Sequence, residues 1–508
     1  MSDQTKGKPA ARFPSLFRNW VSLAGIILAA SSFFTVAFLI ALDFFRSFTN
    51  PYMGILTYIV APVFLIAGLC MIAFGALWER HRRRKRAPGD IPAFPRIDLN
   101  VPRQQHAFIA VAVVTVVFLL LSAVGSYRTY QFTESVTFCG KTCHSIMTPE
   151  YTAYQQSPHA RVECVQCHIG PGASWFVKSK LSGAYQVYAT LMDKYPRPIP
   201  TPIENLRPAR ETCERCHWPQ KFFGEVKRDF IHYLPDEQNS PWTILMLVKI
   251  GGGNPRFGQI GGIHWHMAIA NKIEYIASDN ERQIIPWVRL TDRNGKVTVY
   301  QFADNPLKPE QIAAAQPRVM DCMDCHNRPT HIYHSPVDSV DTALLSGRID
   351  HNLPYIKKEA VQTLAKTYPN TEQALSGISK TLTQFYQTNY PDLAKTNSQS
   401  VVAAVTEVQN IYRHNFFPSM KVNWRVYPDN LGHMNFPGCF RCHDGAHTSA
   451  GGKTIVNDCD ACHTIIVQGP EGKQKTSLAG LEFKHPVDTS GLWEEMMCSD
   501  CHDGSLAE

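Results

Sequence analysis

The chain has 508 residues, 44% of them hydrophobic, and a formal net charge of +7. Much of the positive charge sits in one short block from Arg80 to Arg86, so the balance makes no case for a nucleic-acid partner. The 15 cysteines and 20 histidines point instead to metal or cofactor chemistry.

In chain order, three long apolar segments come first: 21–42, 53–78 and 107–126. Each is long enough to cross a bilayer as a helix. The first is too long for a secretory signal, and no small-residue cleavage site follows it. Orientation follows from lysine and arginine. Residues 1–20 carry Lys6, Lys8, Arg12 and Arg18, and the loop 79–106 carries the Arg80–Arg86 block, whereas the link between the first two spans has only Arg46. The N-terminus and the basic loop are therefore expected in the cytoplasm. Everything after Ser126 is then periplasmic, outside a bacterial inner membrane. Covalent haem attachment takes place on that side, which agrees with the motifs that follow.

Six copies of Cys-x-x-Cys-His lie in the exported part: Cys164/Cys167/His168, Cys213/Cys216/His217, Cys322/Cys325/His326, Cys439/Cys442/His443, Cys459/Cys462/His463 and Cys498/Cys501/His502. In this signature two thiols add to the haem vinyls and the histidine binds iron. Six copies, each with histidine directly after the second cysteine, fit neither a redox dithiol nor half a zinc site. A variant precedes them. In FCGKTCHSIMTPEY, Cys139 and Cys143 stand one residue further apart, and His144 follows. The extra residue can bulge while the Cys-His step is kept, so a seventh covalent haem is expected, with a zinc pair as the alternative. Only Cys70, in an apolar run, is left over. The propionates of seven c-type haems would more than cancel the formal charge.

The exported part divides by pattern. Residues 127–220 hold haems 1–3. Residues 221–318 hold no attachment site and are rich in branched and aromatic residues, with a hairpin expected around Asn294-Gly295. Residues 319–345 hold haem 4, residues 346–420 repeat apolar positions at helical spacing, and residues 421–508 hold haems 5–7. The fold class is a membrane-anchored multihaem cytochrome c. Three transmembrane helices precede a mostly α and irregular, haem-packed periplasmic region with a small β-rich insertion.

An iron with two strong protein ligands transfers electrons, and one with an open position binds substrate. The expected sixth ligands are His159, His266, His331, His433, His447 and His485, several of them within a few residues of an attachment motif. His264 is the substitute for His266 in GGIHWHMA.

The segment from about 107 to 220 resembles the NapC/NirT/NrfH family of membrane-anchored quinol dehydrogenases. An anchor helix leads to an attachment site with a nearby methionine, then to YTAYQQSPHARVECVQCHIGPGASWFVKSK. The order Ser-x-His, second attachment site, His-x-x-Pro-Gly, tryptophan and lysine is the family's. The whole chain is similar to the heptahaem inner-membrane cytochromes of metal-reducing bacteria. The resemblance implies menaquinol oxidation at the outer leaflet, with electrons entering at the first haem. It makes His144 or Met147 the ligand of that iron and Lys178 or Lys180 the quinol-facing lysine. Gln186 stands where the family often has an acidic residue. The expected function is quinol dehydrogenase, passing electrons from the membrane quinol pool to periplasmic cytochromes or other redox proteins in anaerobic or extracellular respiration. An oligomer or a larger respiratory complex is left open. The competing readings are a terminal reductase of a small nitrogen or sulfur compound and a purely conducting subunit.

Overall fold

A computed structural model describes residues 16–17, 19–46, 61–84, 98–142, 145–170, 172–203, 206–218, 222–251, 261–268 and 270–506. Cys143 and His144, most of the expected cytoplasmic N-terminus, the start of the second span and residues 85–97 of the basic loop lie outside these. The chain forms two compact units, Met1–Phe138 with Cys164–Tyr185, and Cys139–Glu163 with Gln186–Glu508.

The first unit is built on three apolar helices, α1 (Trp20–Arg46), α2 (Ala61–Arg84) and α3 (Pro102–Glu134). Their best windows have mean hydropathies of 2.1, 1.8 and 2.9, which suits the lipid core of a membrane. Helices gain little from burying apolar surface against one another in lipid, so they associate through close packing and polar contacts. α1 and α2 do both. A Cβ on Gly68 would lie 2.6 Å from the Ala29 backbone nitrogen, so only glycine lets the two backbones approach this closely. Above that contact the Asn19 side-chain amide donates to the Gly75 carbonyl at 3.0 Å, and the Ser22 hydroxyl to the Ile72 carbonyl at 3.2 Å. α3 is longer than a span requires and none of its apolar window is buried.

The second unit has a helical body and two sheets. After α4 (Thr148–Gln156), the body contains α6 (Pro336–Leu345), α7 (Ile356–Ala365), α8 (Thr371–Asn389) and α9 (Ser398–Asn415). α5 (Ala173–Leu191) belongs to the first unit as far as Tyr185, and its last turns to the second. Apolar positions at helical spacing bury one stripe of each helix. Ile356, Val361 and Leu364 of α7 meet Ile378, Leu382 and Tyr386 of α8 and Val408 of α9, all fully buried.

One sheet has the order β1-β2-β8-β9 and the other β6-β3-β4-β5-β7, with all paired strands antiparallel. The strands are β1 (Glu225–Tyr233), β2 (Pro241–Lys249), β3 (Lys272–Ile276), β4 (Trp287–Thr291), β5 (Val297–Phe302), β6 (Arg318–Val319), β7 (His447–Ser449), β8 (His463–Pro470) and β9 (Lys475–Thr476). The hairpin at Asn294-Gly295 joins β4 to β5, with Gly295 at φ 77°. The sequence placed the β character in 221–318. The sheets also recruit strands from the cysteine-rich C-terminal stretch: β8 pairs with β2 inside one sheet and carries β9 at its edge, and β7 forms the edge beside β5 in the other.

Candidate haem centres

The third, fourth, fifth and seventh attachment motifs share one local geometry. On a helical turn, positions i, i+3 and i+4 fall on one face, so two thiols and an imidazole project together. The backbone closes such turns. His217 donates its amide to the Cys213 carbonyl at 2.8 Å, His326 to Cys322 at 2.8 Å, His443 to Cys439 at 3.1 Å and His502 to Cys498 at 2.9 Å. Asp321 caps the fourth turn by accepting from the Met323 amide at 2.9 Å. In the first, wider motif the extra residue is absorbed in a π-helical turn over Phe138–Thr142, the kind of single-turn widening that one inserted residue produces. Met147 stands at the N-cap of α4, next to the buried Ile146.

The second cysteines of the motifs are not equally enclosed. Burial pushes the Cys442 thiol up to about 12 and the Cys325 thiol up to about 11. Cys501, by contrast, is exposed where the turn Cys498–Cys501 ends, and Cys216 is exposed as well. Cys167 is half-buried on the helical turn Cys164–His168. The turn Cys164–His168 lies in the first unit, whereas Cys139, Cys213 and Cys216 belong to the second.

The histidines outside the motifs occupy defined places. His159 stands 6.0 Å from His217 between ring centroids, His264 6.3 Å from His326, His266 5.7 Å from His443, His433 6.2 Å from His463 and His485 6.0 Å from His502. These rings are too far apart to hydrogen-bond to one another. A metal between two imidazoles, at metal–nitrogen distances of about 2.0–2.1 Å, separates the centroids by about 6 Å. The spacing therefore fits a six-coordinate haem iron with two axial imidazoles.

The outer nitrogens agree with that fit. Nδ1 of His159 faces the Pro329 carbonyl at 3.2 Å, that of His264 the Ile250 carbonyl at 2.8 Å and that of His266 the Ile263 carbonyl at 2.8 Å. Nδ1 of His443 faces the Val456 carbonyl at 2.5 Å and that of His485 the Val487 carbonyl at 2.8 Å. A carbonyl only accepts, so each Nδ1 carries the proton and donates, which leaves Nε2 as the basic nitrogen, the form in which an imidazole can take a metal. Burial also pushes the pKa of His264, His266, His326, His433 and His463 below the ordinary histidine value. Neutral imidazole is the ligand form. His331 likewise directs Nδ1 to a carbonyl, that of Glu150, at 3.0 Å.

His447 differs, and the expectation that it binds iron does not hold. Its Nδ1 lies 2.9 Å from both Asp444 carboxylate oxygens, and its Nε2 lies 2.6 Å from the Ile285 carbonyl. Burial lowers its pKa, but the Asp444 carboxylate and the Ile285 carbonyl outweigh this and raise it. Both nitrogens donate, so neither is available to a metal. His264, named from sequence only as a substitute, takes its own place beside His326.

A histidine's neighbour in sequence is not its neighbour in space. His159 precedes the second motif yet faces the histidine of the third, and His433 precedes the fifth yet faces that of the sixth. The motifs themselves adjoin in chain order. The Cys213 and Cys322 thiols are in hydrogen-bonding reach, and Cys325 with Cys439, Cys439 with Cys462, and Cys459 with Cys498 are electrostatic neighbours.

The lysines expected to face quinol lie on α5, as does Gln186. The Lys178 ammonium sits over the Trp175 ring, 4.8 Å from its centroid, a cation–π contact that holds the charge on that side of the helix. The Lys180 side chain lies outside the described residues. Leu181, Tyr185 and Leu191 are exposed on the same helix.

The model of the NapC/NirT cytochrome c family, N-terminal region, matches residues 101–198. Cytochrome c-type protein ImcH of Geobacter sulfurreducens is 46% identical over 488 residues, covering 95% of each chain. The chain belongs to the NapC/NirT cytochrome c family. Cytochrome c-type protein TorC of Escherichia coli is also similar, 33% identical over 100 residues that cover 18% of this chain and 25% of TorC. No solved structure matches. As a NapC/NirT cytochrome, the protein is a membrane-anchored c-type cytochrome of quinol-linked electron transfer, carrying covalently bound haem.

Proposed function

We propose that the protein oxidises menaquinol at the outer face of the inner membrane and passes the electrons along seven covalently bound haems to a periplasmic acceptor. The observation that carries this is the set of motif histidines each faced by a second imidazole at about 6 Å. Bound haem supplies one-electron redox chemistry at iron. Each motif cysteine, Cys167 and Cys501 included, would form one thioether to its haem. Two axial imidazoles at the third to seventh sites favour conduction over substrate binding, which weighs against the terminal-reductase reading. The proposed ligand pairs include His159 with His217, His433 with His463 and His485 with His502. His168 would hold the second iron, His331 would be a further distal ligand, and His144 or Met147 would serve the first iron. The adjacency of the motifs supports a path running in chain order from the third haem to the seventh.

The chain's own residues would act on quinol at α5. Oxidation to quinone releases two electrons and two protons. Lys178 or Lys180 orients a quinol hydroxyl and stabilises the negative charge that develops as its proton leaves, since a partly desolvated ammonium interacts strongly at short range. Gln186 can hold a hydroxyl by hydrogen bonding but cannot accept its proton, so the proton passes to water or to another group. The basic block places the N-terminus in the cytoplasm and the haem region in the periplasm. Residues 431–506 are the proposed docking region for a periplasmic redox partner.

The test is reduction kinetics with a menaquinol analogue. Lys178→Ala with Lys180→Ala should slow haem reduction by quinol at least tenfold and leave dithionite reduction of every haem intact. Reduction by quinol at the wild-type rate overturns the site. A wild-type protein that quinol never reduces, but that turns over nitrite, hydroxylamine or tetrathionate, replaces the reading with the reductase one.

A further inference from the structure

Within the β-rich insertion, one tripeptide carries two of the facing histidines. His264 and His266 occupy a 3₁₀ turn, Ile263–Met267, separated only by Trp265. Their rings face different attachment motifs, His264 that of Cys322/Cys325 and His266 that of Cys439/Cys442. We propose that His264-Trp265-His266 supplies the sixth ligands of two different irons, those of the fourth and fifth haems, and so fixes the two haems to each other as one rigid pair in the middle of the electron path. This rests on the haem-wire reading above and adds the residue-level assignment and its consequence.

Three features make the turn rigid. Gly262, which precedes it, has φ 137° and lies against the end of β2, so closely that a Cβ would fall 2.7 Å from the Lys249 carbonyl and the Gly251 nitrogen. Only glycine fits that approach, and it brings the Ile250 carbonyl to the His264 ring at 2.8 Å. Trp265 packs into the small core of Ile273, Tyr275, Ile285 and Val288, which Cys442 of the fifth motif also joins. The His266 ring is fixed from within the turn by the Ile263 carbonyl at 2.8 Å. The turn is thus held to one sheet through Gly262 and Ile250 and to the other through Trp265.

The two attachment loops are also braced directly. Arg441, inside the fifth motif, donates to the Asp324 carbonyl, inside the fourth, at 2.6 Å and to the Arg282 carbonyl at 2.8 Å. The Asn430 amide donates to the same Asp324 carbonyl at 3.1 Å. The Asp324 carboxylate is buried and accepts from the Tyr275 hydroxyl at 2.7 Å and from Arg318 Nε at 2.8 Å. Two irons tied by both their proximal loops and one distal turn cannot change separation independently. A charge added to one is felt at short range by the other, so the pair should titrate as interacting centres.

The experiment uses the full-length, haem-loaded protein. Intact mass establishes haem content, and electron paramagnetic resonance of the oxidised protein counts high-spin haem. His264→Ala and His266→Ala should each keep every haem and add one high-spin equivalent, and the double variant should add two. His264→Met and His266→Met should keep both irons six-coordinate and raise the potential of one haem each, with a smaller shift at its neighbour. In a background without the fourth haem, Cys322→Ala with Cys325→Ala, His264→Ala should add no signal while His266→Ala still adds its own. Spectra of both single variants identical to wild type, or both variants altering the same haem, overturn the inference while leaving the wire intact. Loss of covalent haem from the wild-type protein by mass would instead refute the underlying haem reading. Where the alanine variants fail to fold, the methionine pair alone decides, since unshifted potentials in both contradict the assignment.

Discussion

The helical body from Pro336 to Tyr427 and the cysteine-rich stretch 431–506 belong to one unit but are organised on different principles. In the helical body the core is made of side chains. Ile349, Leu353, Ile378, Leu382 and Tyr386 have no exposed surface, and even a charged pair is internal, with Lys357 Nζ 2.6 Å from Asp341 and 2.8 Å from the Val337 carbonyl. In the cysteine-rich stretch the fully buried residues are few, and Leu478, Val487 and Leu492 are at least half exposed. Its order comes from short turns around the attachment motifs and from strands lent to sheets rooted elsewhere. On the proposed reading, a segment with so little side-chain core obtains its buried area from haem faces. The first region folds by its own pattern, and the second would fold around its cofactor.

Removing a haem from the second region should give the largest effect. Cys459→Ala with Cys462→Ala should expose 431–506 to amide exchange and proteolysis while α7, α8 and α9 stay protected. Equal loss of protection in both regions would erase the distinction. Next in size is Lys357→Ala, which leaves the Asp341 carboxylate buried beside only His232 and the Tyr233 amide, and should cost about 3–5 kcal/mol in denaturant unfolding. Leu382→Ala should cost roughly 2–5 kcal/mol by the same measurement and leave the haem spectrum unchanged. A changed spectrum there would mean the two regions are not separable.

The smallest expected effect is one of pH. Burial alone would raise the Glu274 pKa, but hydrogen bonds and charge from Lys272 and Arg289 lower it overall. A carboxyl whose folded pKa is depressed contributes stability that is present above its unfolded pKa and lost as pH falls through the folded one. Arg289 is about a third exposed, which limits the contribution to about 1 kcal/mol. Thermal melts of wild type and Glu274→Gln should differ near neutral pH and converge in acid. A constant difference would assign the effect to packing.

Sequence reading served these regions unequally, for physical reasons. Helices α7, α8 and α9 were legible because apolar spacing at about 3.6 residues is a local signal. The attachment motifs were legible because covalent chemistry fixes Cys, Cys and His within five residues. How deeply each motif is enclosed was not, since the exposed Cys216 and Cys501 carry the same local pattern as the half-buried Cys325 and Cys442. The distal histidines were not legible either, because their partners lie in other motifs and only the folded chain brings them together. His447 satisfied the rule of proximity, sitting four residues past a motif, yet Asp444 and Ile285 claim both its nitrogens. His264 was undervalued because two histidines flanking one tryptophan read as alternatives for one site. That spacing is itself the missed signal, since neighbours two apart on a tight turn face different ways. The sheets crossed the expected boundaries because strand pairing is long-range, and nothing around His447–Ser449 marks it as the partner of β5.

The central claim is that the motif histidines of the third to seventh sites each share an iron with a second imidazole. Spin quantitation of the fully oxidised wild-type protein by low-temperature electron paramagnetic resonance tests it most directly. The account predicts at least five low-spin haem equivalents, with any high-spin signal confined to no more than two, those of the first and second sites. Three or more high-spin equivalents in a protein that carries all its haems would contradict it.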